Sequence, residues 1–310
     1  MADFKSVKLR FALGYRCRSD KDFFEKLKPF LKRFDYDLLC QRNFVVPRLY
    51  SVPTEGIKKI VNYRFEESYR KKGSSFFRAH WIKKIWFIEA VIRYWQFRTV
   101  LNRYQYSGLV VWNGHRWYQA LMKLAADSIN LPVYYLETGY FPQTVNIMKN
   151  GVNASAKLPL SPKFYLNYDK DVKYFTQSNS ILTNVNDVFS VLIPLQVLSD
   201  SQMILHSNWV SSFSDLLTNI DRAASLLNLP INFYIKPHPK EPRQTLEWFN
   251  KLELSNKMCW VNDGDINHWL STSDAVLTVN STVGFEALLY QKPVLVVGNA
   301  SYEDREAVLK

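Results

Sequence analysis

The sequence predicts an α/β fold of two Rossmann-like halves, and three observations carry the prediction. Short apolar runs that end in turn residues alternate with helical patterns, the signature of parallel strands joined by crossover helices. This pattern occurs in two blocks, one before and one after residue 188. Hydrophobic residues make up 47% of the 310, enough to bury a substantial core, while glycine numbers only 10, too few for a glycine-rich all-β repeat.

In chain order, residues 7–14 alternate and end in Gly14, which predicts a first strand. Residues 20–34 read as a basic helix. Residues 56–104 are helical in pattern, rich in Lys, Arg and aromatics, with a break at Lys72-Gly73-Ser74-Ser75. Leu109–Trp112 is a short apolar strand running into Asn113-Gly114. A helix over 116–129 follows, then a buried strand at Pro132–Leu136 that ends in Glu137-Thr138-Gly139. From 140 to about 175 a polar, aperiodic loop is expected, long enough to suggest a functional role. The second block offers strands at Phe189–Val197, Ile231–Ile235, Met258–Val261, Ala275–Val279 and Pro293–Val297. Helices are expected at 207–227, 243–254, 266–272 and 283–290. The expected division is therefore 1–187 and 188–310. A two-domain fold of this type usually closes with a further helix, so a trimmed C-terminus or a compact version of the fold is expected. Such sheets bind ligands outside the carboxyl ends of their strands, where the informative polar residues of this chain fall.

The formal charge of +12 is unevenly spread. Residues 1–110 hold 24 Lys and Arg against 10 Asp and Glu, a net of +14, and the remainder is near neutral. A basic third of this kind seeks polyanions such as nucleic acid, anionic lipid or a charged glycan or nucleotide. Three cysteines, Cys17, Cys40 and Cys259, lie far apart and read as reduced thiols of a cytosolic protein. No secretory h-region stands at the N-terminus, and no apolar run approaches the roughly 18 residues of a membrane span. His80, His206 and His268 have no partners at metal-ligand spacing, so no metal site is expected. Neither a Walker A pattern nor G-x-G-x-x-G occurs, which counts against P-loop NTPases and dinucleotide enzymes.

Four constellations could carry chemistry. Lys236-Pro237-His238-Pro239-Lys240-Glu241 follows a strand, and its prolines stiffen the turn that holds His238. An imidazole between two lysines suits a phosphate, and the same residues also suit a rigid surface turn with a structural histidine. Asn280-Ser281-Thr282, with Glu286 one turn into the following helix, joins free backbone N–H groups to hydroxyls, an arrangement that binds anions. Glu286 could reach a ribose, and Ser281 also suits an ordinary helix N-cap. Glu137-Thr138-Gly139-Tyr140, continuing to Asn153, sets a carboxylate at a strand end as a candidate acid/base, against the plainer alternative of a solvated loop glutamate. Gln196, Asp200 and Gln202 follow the first strand of the second block, where Asp200 is either a nucleophile or base, or a helix N-cap. Glu137 and Asp200, from opposite halves, could supply the carboxylate pair that glycosyl chemistry uses. Asn113, at another strand end, is a weaker candidate for substrate binding.

Together and in this order, the motifs Glu137-Thr-Gly-Tyr-Phe-Pro142 with Asn153, Pro194-Leu-Gln196 with Asp200, Lys236-Pro-His-Pro-Lys-Glu241 and Asn280-Ser-Thr-Val-Gly-Phe-Glu286 resemble the capsule polysaccharide biosynthesis family, which includes retaining β-Kdo glycosyltransferases. The resemblance covers roughly 109–300. It implies a GT-B-like fold with a cleft between its two Rossmann-like domains, the first on the acceptor side and the second binding the CMP-sugar. It implies CMP-Kdo as donor substrate, with no cofactor. It assigns the donor site to Lys236, His238, Pro239, Asn280, Ser281, Thr282 and Glu286. Asp200 then fits the nucleophile and Glu137 the acid/base, although these roles could be exchanged. Further substrate contacts would come from Asn113, Gly139, Tyr140, Asn153, Gln196 and Gln202. Expected partners are the nucleotide sugar and a glycan or lipid-linked glycan acceptor.

Two other functions remain open on sequence grounds. Other GT-B transferases, using CMP-sialate or CDP-glycerol, share a His-Pro turn and a Ser/Thr turn. A basic nucleic-acid-binding protein would explain the +14 segment, yet no RRM, zinc-finger or helix-turn-helix signature is present. Because the motifs fall in the near-neutral part, the basic third is expected to face a growing acidic glycan or an anionic membrane surface rather than nucleic acid. That expectation makes the protein cytoplasmic, at the inner face of the cytoplasmic membrane.

Overall fold

Side-chain alternation along the strands decides the layering. In a strand, neighbouring residues face opposite sides of the sheet, so a strand apolar on both sides needs helices on both. The computed structural model describes residues 9–15, 18–27, 29, 34–40, 45–72, 76–140, 144–156, 188–227, 229–255, 257–303 and 308–310. It divides into two units, Met1–Lys157 and Leu158–Lys310.

The first unit runs β1 (Arg10–Gly14), α1 (Arg18–Leu27), β2 (Asp35–Leu39), α2 (Thr54–Lys72), α3 (Phe76–Tyr104), β3 (Gly108–Trp112), α4 (Trp117–Asp127), β4 (Val133–Thr138) and β5 (Val145–Met148). Its sheet has the order β2-β1-β3-β4-β5. The first four strands are parallel and β5 is antiparallel to β4. Ala12, Leu39, Leu109, Val111, Val133 and Tyr135 face one core, which Ile57, Tyr94, Leu101 and Leu121 of α2, α3 and α4 complete. The alternate residues Leu13, Leu38, Val110 and Leu136 face the other side, against Phe24 of α1.

The second unit runs β6 (Phe189–Pro194), α5 (Ser201–His206), α6 (Phe213–Leu226), β7 (Ile231–Lys236), α7 (Leu246–Asn250), β8 (Met258–Trp260), α8 (Ile266–Thr272), β9 (Ala275–Thr278), α9 (Thr282–Leu289) and β10 (Val294–Val296). Every pairing in its sheet, ordered β10-β9-β6-β7-β8, is parallel. Val191 and Ile193 pack with Met203, Phe213 and Leu217 on one face. Leu192 between them packs with Leu270 and Ala287 on the other. The chain enters at the central strand β6, winds outward through β7 and β8, and returns on the other side through β9 and β10. The strand order therefore reverses between β6 and β9, the place where open sheets of this kind bind ligands.

Each half is thus a Rossmann-like sheet, as expected, wholly parallel in the second unit and parallel but for β5 in the first. Several details differ from the sequence reading. Two strands escaped it: β2, whose Asp35-Tyr36-Asp37 start masks the pattern, and β5, which lies inside the stretch expected to be an aperiodic loop. β5 is a four-residue antiparallel strand, held by pairing with β4 rather than by any apolar period of its own. Of that stretch, residues 141–143 and everything from 157 on lie outside the described residues. The helix expected over 207–227 is shorter, Phe213–Leu226, and a separate six-residue helix before it, Ser201–His206, escaped the reading. Asp200 starts α5, Asn208 at φ +52° breaks the chain out of helical geometry, and Ser212 caps α6 anew.

Candidate functional site

The candidate residues of the second unit gather at the carboxyl ends of β6, β7 and β9. A buried amide network ties these ends together. Asn280, 5% exposed, accepts a bond from Gln196 Nε2 at 2.9 Å. Its Nδ2 donates to the carbonyls of Gln202 and His206, both at 3.1 Å. The Asn280 backbone N–H donates back to Gln196 Oε1. Gln244, 9% exposed, extends the network to the His238 turn. Its Oε1 accepts the His238 N–H at 2.7 Å and its Nε2 donates to the Gln196 carbonyl at 2.7 Å.

Three βα turns are locked in one register by these bonds, and each displays a polar group. His238 sits in the turn after β7. Its Nδ1 accepts the Lys240 N–H at 3.0 Å, so the neutral ring carries its proton on Nε2. Burial lowers the pKa of His238, Lys240 lowers it further, and Asp200 and Glu241 pull the other way. The result is a neutral imidazole with one N–H to donate. Pro239 follows it, exposed, and fixes the backbone there. Ser281 caps α9 by accepting the Val283 N–H, and Tyr302 clamps the same turn by donating to the Ser281 carbonyl. Thr282, exposed, is the first residue of α9, whose dipole favours an anion. Glu286 stands one turn further along, and burial raises its pKa.

Other placements narrow what individual residues do. Asp200 is the N-cap of α5, accepting the Gln202 N–H at 2.9 Å. Both amide donors of Asn280 are spent inside the unit, so its side chain braces the turn that presents Ser281 and Thr282. Lys236 Nζ donates to the carbonyls of Asp263 and Gly264 at 3.2 and 2.8 Å, which ties the end of β7 to the turn before α8. Gln202 keeps a buried Nε2 without a hydrogen-bond acceptor.

In the first unit a second cluster forms at the ends of β3 and β4. Glu137 Oε2 accepts from Asn113 Nδ2 at 2.5 Å and from Asn153 Nδ2 at 3.5 Å, and its Oε1 accepts the Thr138 N–H at 3.0 Å. Three donors therefore orient one carboxylate. Asn113 at φ +62° and Asn153 at φ +53° adopt left-handed backbone, which Asn tolerates better than most residues, and so turn their amides toward Glu137. Gly139 lies where any Cβ would come within 2.0 Å of Thr144 Oγ1, and its N–H donates to the Thr144 carbonyl. Tyr140, half-buried, follows at the edge of the described segment, and Phe141 and Pro142 lie outside the described residues.

Sequence reasoning missed Gln244, Tyr302 and the Glu241–Arg243 pair, whose Nε–Oε1 distance is 2.7 Å. A glutamine or tyrosine in a loop carries no local signal, because its role comes from distant chain positions that meet only in the fold. Among the described residues no group of three or more His, Cys, Asp or Glu side chains could hold a metal ion.

Comparison with known proteins gives a consistent picture. Residues 107–190 and 176–305 match the family described as "Capsule polysaccharide biosynthesis protein". The chain is 27% identical to protein FixF of Sinorhizobium fredii over 301 residues, covering 90% of this chain and 66% of that protein. It is 22% identical to the capsule polysaccharide modification protein LipB of Neisseria meningitidis, covering 66% of each. The chain thus spans just under two thirds of the length of these relatives. Among solved structures, Thermosulfurimonas dismutans KpsC, described as a beta Kdo 2,7 transferase, aligns over 96% of this chain and 82% of its own with a TM-score of 0.53 and 16% identity. That likeness supports the GT-B-like α/β class.

Proposed function

We propose that this chain, which belongs to the capsule polysaccharide biosynthesis protein family, is a glycosyltransferase that moves Kdo from CMP-β-Kdo to a surface-glycan acceptor with retention. The observation that carries the reading is the amide network that locks the His238 turn and the Ser281-Thr282 turn in one register beside the β6/β9 reversal point. Two rigid donor-bearing turns at a switch point suit a nucleotide monophosphate ester.

In this reading the phosphate takes the His238 Nε2–H, the Ser281 and Thr282 turn and the N-terminus of α9, while Glu286 bonds a ribose hydroxyl. These donors stabilise the charge that grows on CMP as the glycosidic bond breaks. In the first step the Asp200 carboxylate bonds to the anomeric carbon, the bond from that carbon to the phosphate oxygen breaks, and CMP leaves with the electron pair. In the second step an acceptor hydroxyl bonds to the same carbon, Asp200 departs with its electron pair, and a general base takes the hydroxyl proton, the role that the family resemblance gives to Glu137. Two inversions give net retention. Asp200 keeps one oxygen outside the cap bond for this purpose. The orientation of Glu137 by Asn113, Asn153 and Thr138 supports a positioned base.

Release of CMP from CMP-Kdo, measured beside CMP-sialate and CDP-glycerol with a range of glycan acceptors, tests the reading. Turnover of CMP-Kdo is expected. Turnover of only the other two donors contradicts it.

A further inference from the structure

The long helix α3 carries an apolar stripe that no described residue covers. Trp81, Ile85, Ile88 and Ile92 are 67%, 62%, 62% and 43% exposed. Their spacing is i, i+4, i+7, i+11, so at about 100° per residue they lie within roughly 60° of one another. The residues that α3 buries, Ala90, Tyr94, Phe97 and Leu101, occupy the opposite side. Exposed apolar residues scattered singly need no explanation, but four in one line on a helix do. The stripe also forms a wall of a shallow groove lined by Ile85, Ile88, Glu89, Ile92, Arg93 and Gln96.

The charge around the stripe points to its partner. Over α2 and α3 the sequence has 12 Lys and Arg against four acids, Glu55, Glu66, Glu67 and Glu89. Each of the four acids is ion-paired with a base of the same two helices, Lys58, Arg70, Lys71 and Arg64 respectively. Eight cations are left in excess. Lys84 flanks the stripe with its ammonium 5.1 Å from the Trp81 ring, and Arg103, exposed, continues the line of the stripe toward the end of the helix. Among the described residues no helix is long and apolar enough to cross a membrane.

We infer that this face of α3 docks on an anionic lipid bilayer, with Trp81 and the three isoleucines entering the headgroup boundary and the surrounding lysines and arginines meeting the lipid charge. An exposed helix face that presents Trp and aliphatic residues with cations beside them binds in that manner. A second copy of the chain fits less well. A two-fold contact through this stripe would bring together two helix pairs that each carry a net charge of +8. A nucleic acid would leave the isoleucines without a partner. The inference stands independently of the donor and of the transferase reading.

Flotation of the full chain with vesicles tests it, using phosphatidylcholine alone and phosphatidylcholine mixed with phosphatidylglycerol. The wild type is expected to float with the anionic vesicles and to be released by high salt. A variant carrying Ile85→Glu and Ile88→Glu is expected to lose binding by about tenfold or more, with an unchanged circular dichroism spectrum and melting temperature because both sites are exposed. Lys84→Glu with Arg103→Glu should weaken binding and flatten its salt dependence. Wild-type protein that stays with the soluble fraction overturns the inference. Equal flotation of the isoleucine variant, or a self-association that the variant abolishes without any vesicle binding, overturns it as well.

Discussion

Replacing Gln244 by Met removes the link between the His238 turn and β6 at nearly constant volume. Two bonds of 2.7 Å are lost, one from the His238 N–H and one to the Gln196 carbonyl. A typical internal hydrogen bond contributes about 1 kcal/mol net, and stranding its buried partner costs about 1–3 kcal/mol. Gln244 is 9% exposed, so water replaces its amide poorly. Partial relief by motion of the turn lowers the sum, which gives an expected loss of about 2–4 kcal/mol, measured as the shift in urea unfolding at constant slope. A second effect separates positioning from plain stability. The His238 turn gains freedom relative to the Ser281 turn, so the KM for donor should rise more than kcat falls. Gln244→Glu keeps the acceptor and loses the donor, and should fall between wild type and Gln244→Met in both readouts. A Gln244→Met variant within about 0.5 kcal/mol of wild type, with an unchanged KM, would refute the idea that the amide network sets the site.

Other variants probe neighbouring claims. Asp200→Asn preserves the cap on α5, because Asn caps as well as Asp, so stability should move by only a few tenths of a kcal/mol while turnover falls by roughly a thousandfold or more; full turnover would remove Asp200 as nucleophile. Gly139→Ala forces a Cβ to 2.0 Å from Thr144 Oγ1, and a drop in thermal stability together with weakened acceptor use is expected, since the turn carrying Glu137 must shift. Burial lowers the pKa of both His238 and His206, so the folded state binds fewer protons than the unfolded chain. Their contribution to stability is therefore present above the unfolded value near 6.5 and is lost as pH falls through the lowered folded values. The urea midpoint of the wild type should decline on acidification below that point, and His238→Asn should decline less steeply; identical slopes would contradict the burial argument.

The parallel strands of both halves were legible because a buried strand writes a short apolar run, and Leu109–Trp112, Ile231–Ile235 and Ala275–Val279 differ from the observed strands by one residue at an end. β2 and β5 were not, since an edge strand of mixed polarity is fixed by its neighbour's hydrogen bonds rather than by its own pattern. Motif residues such as His238 and Ser281 could be picked out because Pro and N-cap chemistry leave a local signature. Their supports could not. Gln244 reaches Gln196 across 48 positions, Asn280 reaches it across 84, and no window of sequence holds both ends. The same limit applied to the basic third: its charge was visible in composition, but the line of Trp81, Ile85, Ile88 and Ile92 stood out only once the core side of α3 was known.

The most direct test of the proposed transfer is intact-mass analysis of the protein incubated with CMP-Kdo in the absence of acceptor, followed by peptide mapping. The expected result is release of CMP and gain of one Kdo residue on the peptide carrying Asp200, absent from Asp200→Asn. CMP released by wild type and Asp200→Asn at equal rates, with no adduct on either, would contradict it.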